Sequence, residues 1–294
     1  MKTNKRVLKT AGLVLAAGLL LFLAIAAASA LSGKTAELVY EKADYTAGAA
    51  GVEEIRVRVR NMAVQVTPST GNQITLHYYT CEEDPYEVTL EGGVLQLKYK
   101  NDILFNIKSW FSGITAVFGT AEPKVEVMVP AAYAGTLRLD SSNGRVAVSG
   151  LSQLGELRIN TSNAPIEVSD VSAALVSAQT SNGAVTLDRA LVAGAADLRS
   201  SNGMLTARQV SAKDSLRMET SNGRIALEEA GSASIELKSS NGSISGSVNG
   251  KRSDYTISSD TSNGDDSLGD GGKGPFKLRV STSNGNIDIR FTQE

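Results

Sequence analysis

The chain has 294 residues, with 29 Lys and Arg against 31 Asp and Glu, and it contains one His and one Cys. This charge balance argues against nucleic acid as a partner. The single cysteine excludes an intrachain disulfide, and the single histidine has no second histidine with which to build a metal site.

The chain begins with a basic tip that is followed by a long apolar run. Residues 1–10 hold four Lys or Arg and no acidic residue, and residues 11–31 are apolar or small. As a helix at about 1.5 Å per residue, this run is about 31 Å long and spans a bilayer with its basic flank in the cytoplasm. The small residues Ala28 and Ala30 also fit a signal-peptidase site. Residues 1–31 are predicted to be a cleaved signal peptide or a retained signal-anchor transmembrane helix, and the rest is predicted to be extracytoplasmic.

Residues 32–135 are predicted to form a β section that caps the repeat array described below or supplies its first coils. Apolar and polar residues alternate in six stretches, predicted as strands: 55–60, 64–66, 74–78, 88–90, 94–97 and 125–129. Turn signals separate several of them. His77 is predicted to be a satisfied strand residue, and Cys81 a structural core or edge residue.

The segment 103–118 departs from the strand pattern and holds the single Trp of the chain. Its apolar residues fall near helical spacing, which predicts a short amphipathic helix or an apolar loop. Either this segment packs as a lid on the repeat array, or it contacts the membrane or a partner. The residues predicted for such a contact are Trp110, Phe111, Ile114 and Phe118.

A four-residue corner, Ser/Thr-Ser-Asn-Gly, recurs through residues 136–294 with spacings of 19 to 22 residues. Its eight asparagines are Asn143, Asn163, Asn182, Asn202, Asn222, Asn241, Asn263 and Asn284. Each unit is too small to bury its own apolar face and must stack on its neighbours, so the repeat predicts a parallel β-solenoid, a right-handed β-helix. The competing interpretation is an antiparallel meander, because Asn-Gly is also a hairpin signal.

The corner is predicted to place its asparagine inside the coil. Counting by two from Leu216 and Met218 puts Thr220 and Asn222 on the same face as the apolar residues. Stacked coils would then join the amides of successive asparagines in a ladder. Residues 265–274 lack the repeat pattern and are predicted to bulge out of the stack as a loop, and the coil that ends at Phe291 is predicted to close the array.

The sequence contains no pattern that predicts catalysis. It has no nucleophile elbow, phosphate loop or Cys/His metal pattern. Asp140, Glu219 and Glu236 could form a weak acidic stripe, but a solvated face is the interpretation we favour. The acidic and Gly-rich loop 265–274 resembles a calcium loop without the required spacing. The chain is therefore predicted to be no enzyme and to bind no cofactor and no metal.

These features together resemble one family. The basic start, the single apolar segment, the strand ending in Val127–Pro130 and the Ser-Asn-Gly coils make residues 40–290 similar to the bacterial putative adhesin family, domain of unknown function 4097. The resemblance implies an exported β-helical domain without catalytic residues, and some members resemble proteins of envelope-stress systems. The expected function is binding of a cell-envelope protein or glycan. The alternatives are an accessory role in envelope-stress sensing and, more remotely, a polysaccharide-acting enzyme.

Overall fold

The computed structural model describes residues 40–81, 84–100 and 124–293. These residues form 21 β-strands and a single short 3-10 helix, Arg252–Asp254, so the predicted all-β class is confirmed for them. None of the helices in the described ranges has the length and apolar character needed to cross a membrane. The predicted membrane or signal segment 1–31 and the apolar segment 103–118 lie outside the described residues.

Seven strands precede the repeat region: β1 (Glu41–Gly48), β2 (Glu54–Val59), β3 (Ala63–Ser69), β4 (Gln73–Thr80), β5 (Tyr86–Glu91), β6 (Val94–Tyr99) and β7 (Lys124–Pro130). Eleven strands carry the first six repeats: β8 (Thr136–Ser141), β9 (Val146–Ser149), β10 (Leu154–Thr161), β11 (Ile166–Thr180), β12 (Val185–Val192), β13 (Ala195–Ser200), β14 (Leu205–Ala212), β15 (Ser215–Thr220), β16 (Ile225–Ser232), β17 (Ser234–Ser239) and β18 (Ile244–Val248). Three strands complete the chain: β19 (Tyr255–Thr261), β20 (Phe276–Thr282) and β21 (Ile287–Phe291).

The strands form two stacks that are joined at the Ser-Asn corners. The front stack holds the strands that precede each corner, in the order β5-β6-β2-β8-β10-β11-β13-β15-β17-β20-β19. The back stack holds the strands that follow it, in the order β1-β4-β7-β3-β9-β11-β12-β14-β16-β18-β21. Strand β11 serves both stacks with its two halves. Neighbours are parallel except at β1, β4 and β5, which confirms a solenoid-like fold over an antiparallel meander.

Aliphatic side chains stacked in register fill the space between the two stacks. One such column lies along the front stack, and every member is at most 2% exposed: Val57, Leu139, Ile159, Ala178, Leu198, Met218, Leu237 and Val280. Alternation with period two places these residues inward while their neighbours face solvent. Because each coil lies between two others, each apolar layer covers the next, and burial of these layers is the main stabilising contribution of the fold.

The coils do not stack in the order of the sequence at either end of the array, which corrects the prediction of eight coils in simple succession. At the C-terminal end, β20 pairs with both β17 and β19, so the last coil lies between the sixth and the seventh. At the N-terminal end, β2 and β3 lie between the first repeat and the later strands β6 and β7. In the front stack, the coil that ends at Phe291 is therefore internal and β19 is the outermost strand, whereas in the back stack its strand β21 is outermost.

Residues 265–274 cover the C-terminal end of the stack, and the prediction of a loop bulging outward was wrong. Leu268 is 4% exposed and belongs to the hydrophobic core. The loop exchanges backbone hydrogen bonds with Ile287 of β21 and with Ile257 of β19. It thus pairs with the edge strands of both stacks, as an exposed sheet end requires.

Candidate functional site

The first residue of the repeated corner is a buried Ser or Thr whose hydroxyl joins two coils. The hydroxyl of Thr220 accepts a hydrogen bond from the N–H of Gly223 at 3.1 Å and donates one to the carbonyl of Gly203 in the preceding coil at 3.2 Å. Thr180, Ser200 and Ser239 make the same pair of contacts. A hydroxyl accepts and donates through a single oxygen close to the backbone, which accounts for the restriction to Ser and Thr.

The glycine of the corner is required by close approach of the preceding coil. A Cβ on Gly203 would lie 1.7 Å from the carbonyl oxygen of Gly183, and one on Gly223 would lie 1.9 Å from that of Gly203. Neither glycine has a positive φ. Ala164 takes this position in the second repeat, and there the Thr161 hydroxyl donates to the carbonyl of Ala164 at 2.7 Å, so the local hydrogen-bond pattern differs.

The asparagines of the corner face outward, and the prediction that they face the core was wrong. All eight are exposed, whereas the Gly or Ala that follows is buried in seven of the eight corners. The period-two count fails because the strand ends at the Ser or Thr: β15, for example, ends at Thr220. The backbone then turns, so that Ser221 and Asn222 both point to solvent.

The outward asparagines form a column of side-chain hydrogen bonds. Each Nδ2 donates to the Oδ1 of the asparagine in the adjacent coil at 2.7 Å, or 2.9 Å for the last pair. The column includes Asn61, whose Oδ1 accepts from Asn143. Its order is Asn61, Asn143, Asn163, Asn182, Asn202, Asn222, Asn241, Asn284 and Asn263. At about 4.8 Å between parallel strands, these nine amides extend over about 38 Å.

Asn61 was missed by the sequence analysis because its corner, Arg60-Asn61-Met62-Ala63, lacks the flanking Ser and Gly. The available signal was the distance from the apolar pair: Ile55 and Val57 precede Asn61 by six and four residues, as Leu137 and Leu139 precede Asn143. Met62 is 1% exposed and its carbonyl lies where a Cβ on Gly144 would clash, so it occupies the place of the corner glycine.

A second column, of serine hydroxyls, lies beside the asparagines. Ser162, Ser181, Ser201, Ser221 and Ser240 are exposed, and their backbone groups link successive coils. Within the part of the chain that the structure describes, the hydroxyls of these five serines make no hydrogen bond. We call the paired columns of Ser and Asn side chains the asparagine edge. It presents uncharged donors and acceptors at the spacing of the coils.

A further column, of residues with positive φ, runs across the back stack, and four of its five members lie within the strands β11, β12, β14 and β16. Asp170, Arg189, Gln209 and Glu229 have φ between 47° and 54°, and Gly150 has φ of 74°. They lie seven residues after successive corner asparagines. Arg189 binds both carboxylate oxygens of Asp170, at 2.6 and 2.8 Å, and this contact lowers the pKa of Asp170. The sequence signal was a pair of adjacent polar residues between buried apolar ones, which breaks the period-two pattern.

The front face carries ion pairs between residues two apart on the same strand. Arg138 pairs with Asp140 at 3.2 Å and Arg217 with Glu219 at 2.8 Å. Glu236 lies 3.9 Å from Arg217. The three acids considered as a stripe therefore face arginines. Asp140 and Glu219 lie in one register row four coils apart, and Glu236 lies in a different row, opposite Arg217. Such partly exposed pairs contribute little to stability and leave a face of balanced charge.

The acidic loop 265–274 directs its carboxylates to backbone amides. Asp266 Oδ1 accepts hydrogen bonds from the N–H groups of Leu268 and Gly269, and Asp270 Oδ1 accepts one from Ser259. Among the described residues there is no group of three or more His, Cys, Asp or Glu side chains arranged to hold a metal ion. His77 Nδ1 lies 2.5 Å from Asp44, and Cys81 is half-buried.

A half-buried cluster lies where the described chain begins. Tyr40 donates a hydrogen bond to Asp84 at 3.0 Å, and the guanidinium of Arg60 lies over the ring of Tyr99 at 3.9 Å. Burial raises the pKa of the Asp84 carboxyl, and the hydrogen bond from Tyr40 and the charge of Arg60 offset this only in part.

We expect Asp84→Asn to remove a pH dependence of stability. Because the folded-state pKa of Asp84 is raised, its stabilising contribution is present below the ordinary aspartate pKa of about 3.9 and is lost as pH rises through the folded value. Asparagine keeps an acceptor for Tyr40 and does not ionise. Urea midpoints measured from acidic to neutral pH should therefore show the variant gaining stability over the wild type as pH rises. A constant difference across this range would contradict the prediction.

The sequence matches one protein-family model over most of its length. The sequence matches the model described as Toastrack DUF4097 over residues 52–291, which includes the asparagine column from Asn61 to Asn284. The chain belongs to this family. No curated protein shows a significant match to the chain.

Solved structures resemble this Toastrack chain at low sequence identity. A putative adhesin from Bacteroides fragilis NCTC 9343 is 12% identical, with 85% of this chain and 97% of that chain covered and a TM-score of 0.45. A putative adhesin from Parabacteroides merdae ATCC 43184 is 10% identical, with 85% and 96% covered and a TM-score of 0.43. A putative cell adhesion protein from Clostridium sporogenes ATCC 15579 is 10% identical, with 86% and 100% covered and a TM-score of 0.29.

Proposed function

We propose that the protein is an exported, non-enzymatic binding protein of the cell envelope, and that its asparagine edge binds an extended, uncharged glycan. The observation that carries this proposal is the regular array of exposed amides and hydroxyls on successive coils. Each ladder amide between the two end members, Asn61 and Asn263, uses one N–H and one acceptor position for its neighbours. One further N–H and one further lone pair per asparagine remain for a ligand.

The chemistry of the edge suits a polymer of sugars better than a charged partner. Sugar hydroxyls both donate and accept hydrogen bonds, as the Ser hydroxyls and Asn amides do, and neither column contains a charged side chain. The ladder fixes the amides before binding, so little side-chain freedom is lost when the ligand docks. Weak contacts repeated at about 4.8 Å then add along a long ligand.

The residue types of the edge support binding rather than catalysis. Amides and aliphatic hydroxyls do not act as acids or bases near neutral pH, and the carboxylates of the front face are held by arginines. Export is proposed from the basic and apolar sequence of residues 1–31. A retained anchor would tether the edge at the envelope, and cleavage would release it to the wall.

We expect the full-length protein to co-sediment with insoluble cellulose, chitin or β-1,3-glucan, all of which are uncharged. The combined variant Ser162→Tyr, Ser201→Tyr and Ser240→Tyr places bulky side chains on alternate coils of the edge without touching the ladder. Binding should weaken at least about tenfold, because the rings block the approach of the polymer.

The matched control is Ala147→Tyr, Thr186→Tyr and Ala226→Tyr, which places the same rings on alternate coils of the back stack at outward, partly exposed positions. The control should bind as the wild type does. Equal binding by both variants would rule out the asparagine edge as the binding surface. Failure of the wild type to bind any of the three polymers would rule out an uncharged glycan as the ligand.

A further inference from the structure

The chain contains eight Asn-Gly pairs, and seven of them form the corners of repeats. Asn-Gly is the dipeptide most prone to deamidation. The backbone nitrogen of the glycine attacks the side-chain carbonyl carbon of the asparagine, ammonia leaves, and a succinimide ring forms. The reaction requires a free glycine nitrogen and a side chain that can swing toward it. The structure decides which pairs meet these conditions.

In most of the pairs, hydrogen bonds restrain both reacting groups, the glycine N–H and the asparagine side chain. The N–H groups of Gly144, Gly183, Gly203, Gly223 and Gly242 donate to corner hydroxyls at 2.8 to 3.1 Å. Their asparagines bind one neighbour through Nδ2 and another through Oδ1. Outside the corners, Gly250 donates its N–H to the hydroxyl of Thr292.

Asn263-Gly264 differs in three independent respects. Asn263 is the last member of the column, and its single ladder contact is the bond that it donates to Asn284 at 2.9 Å. Gly264 is exposed, whereas the glycines of the other corners are buried. In the described part of the chain, the Gly264 N–H has no hydrogen-bond acceptor, and the Thr261 hydroxyl makes only the donated bond, to the carbonyl of Gly285.

Asn284-Gly285 is the nearest competitor. The Gly285 N–H also has no acceptor among the described residues, but Gly285 is buried. Asn284 is held through Nδ2 by Asn241 and through Oδ1 by Asn263. Its side chain can approach the glycine nitrogen only after both bonds break, so Asn284 ranks behind Asn263.

We propose that Asn263 is a site of spontaneous deamidation in the folded protein. The Gly264 nitrogen loses its proton to water or hydroxide and forms a bond to the side-chain carbonyl carbon of Asn263. The bond between that carbon and Nδ2 breaks, and the departing nitrogen takes a proton from water and leaves as ammonia. Water then opens the succinimide at either carbonyl and gives aspartate or isoaspartate. The step needs water alone as co-reactant, and it is independent of the proposed glycan binding.

The modification would act on the end of the solenoid. An aspartate at position 263 has no N–H with which to bind Asn284, so the outermost rung of the column is lost. The new carboxylate also lies beside Asp265 and Asp266 in the sequence. An isoaspartate lengthens the main chain by one methylene at the entrance to the covering loop. The outermost coil should therefore loosen before the rest of the array.

The test is peptide mapping of the full-length protein after incubation at mildly alkaline pH. Trypsin releases residues 253–273, which contain Asn263 as their single asparagine, and residues 200–208 and 218–224, which contain Asn202 and Asn222. Mass spectrometry reports the conversion of amide to carboxylate in each peptide. We expect Asn263 to convert at least about tenfold faster than Asn202 and Asn222, because two restraining hydrogen bonds are absent.

The matched control is the same incubation in concentrated urea. Without the fold, all eight pairs should convert at comparable rates, because local sequence alone then sets reactivity. A mixture of isoaspartate and aspartate at position 263 would show that the reaction passes through the succinimide. The proposal is overturned if Asn202 or Asn222 converts as fast as Asn263 in the folded protein, or if Asn263 yields aspartate alone.

Discussion

Thr220→Val should reduce the free energy of unfolding by about 2–4 kcal/mol, because it leaves two buried backbone groups without partners. The hydroxyl of Thr220 accepts from the Gly223 N–H and donates to the Gly203 carbonyl. Valine has the same shape and β propensity, so the substitution removes the hydrogen bonds without opening a cavity. Urea unfolding followed by circular dichroism measures the loss.

Thr186→Val is the matched control for this change. Thr186 lies on β12, faces outward and is partly exposed, so the same substitution orphans no buried backbone group. Its effect should stay within about 0.5 kcal/mol. If both variants lose equal stability, the hydroxyl of the corner has no special role in joining the coils.

The sequence supported the prediction of a parallel stack because the corner demanded more than a hairpin turn does. A two-residue turn needs only Asn and Gly, yet a Ser or Thr stands two residues before each of the eight corner asparagines. The structure shows what that residue does: Thr180, Ser200 and Thr220 each bridge two coils. A contact that is repeated between coils restricts the residue type at the same position of every repeat, so it can be predicted from the sequence alone.

The direction of the asparagines could not be read by the same counting. Period two holds only while the backbone remains extended, and β15 stops at Thr220. Beyond that residue, Ser221 and Asn222 are both exposed. The ladder itself is compatible with either direction, because stacked amides can bond to one another whether they face the core or solvent. The backbone conformation at the corner determines the direction of the asparagine side chains, and this direction cannot be predicted from the residue spacing.

The order of the terminal coils depends on pairings between distant residues. Asn284 lies next to Asn241, 43 residues away, and Asn61 lies next to Asn143, 82 residues away. Every coil presents a similar edge to its neighbours, so local sequence favours no particular order. At the C-terminal end, the loop 265–274 covers the outermost strands, and it can do so because Leu268 enters the core. The order of the coils at this end is therefore determined by how the whole C-terminal end packs.

Gly203→Ala should cost at least about 2 kcal/mol, since the added methyl would meet only backbone atoms. Its Cβ would lie 1.7 Å from the Gly183 carbonyl oxygen and 2.4 Å from the carbonyl carbon. The two corners must separate, which strains the Ser200 contact to Gly183 at 3.1 Å and the amide bond between Asn202 and Asn182 at 2.7 Å. Urea unfolding should show the loss as a lower midpoint.

Gly71→Ala is the control, because nothing lies within 4 Å of a Cβ at that position and its φ is not positive. There the methyl should be neutral or stabilise slightly, by reducing the freedom of the unfolded chain. Ala164 shows that one corner accepts a methyl when its hydroxyl contact is rearranged. A small effect of Gly203→Ala would mean that the central corners make the same rearrangement, and close contact between coils would then not explain the repeated glycine.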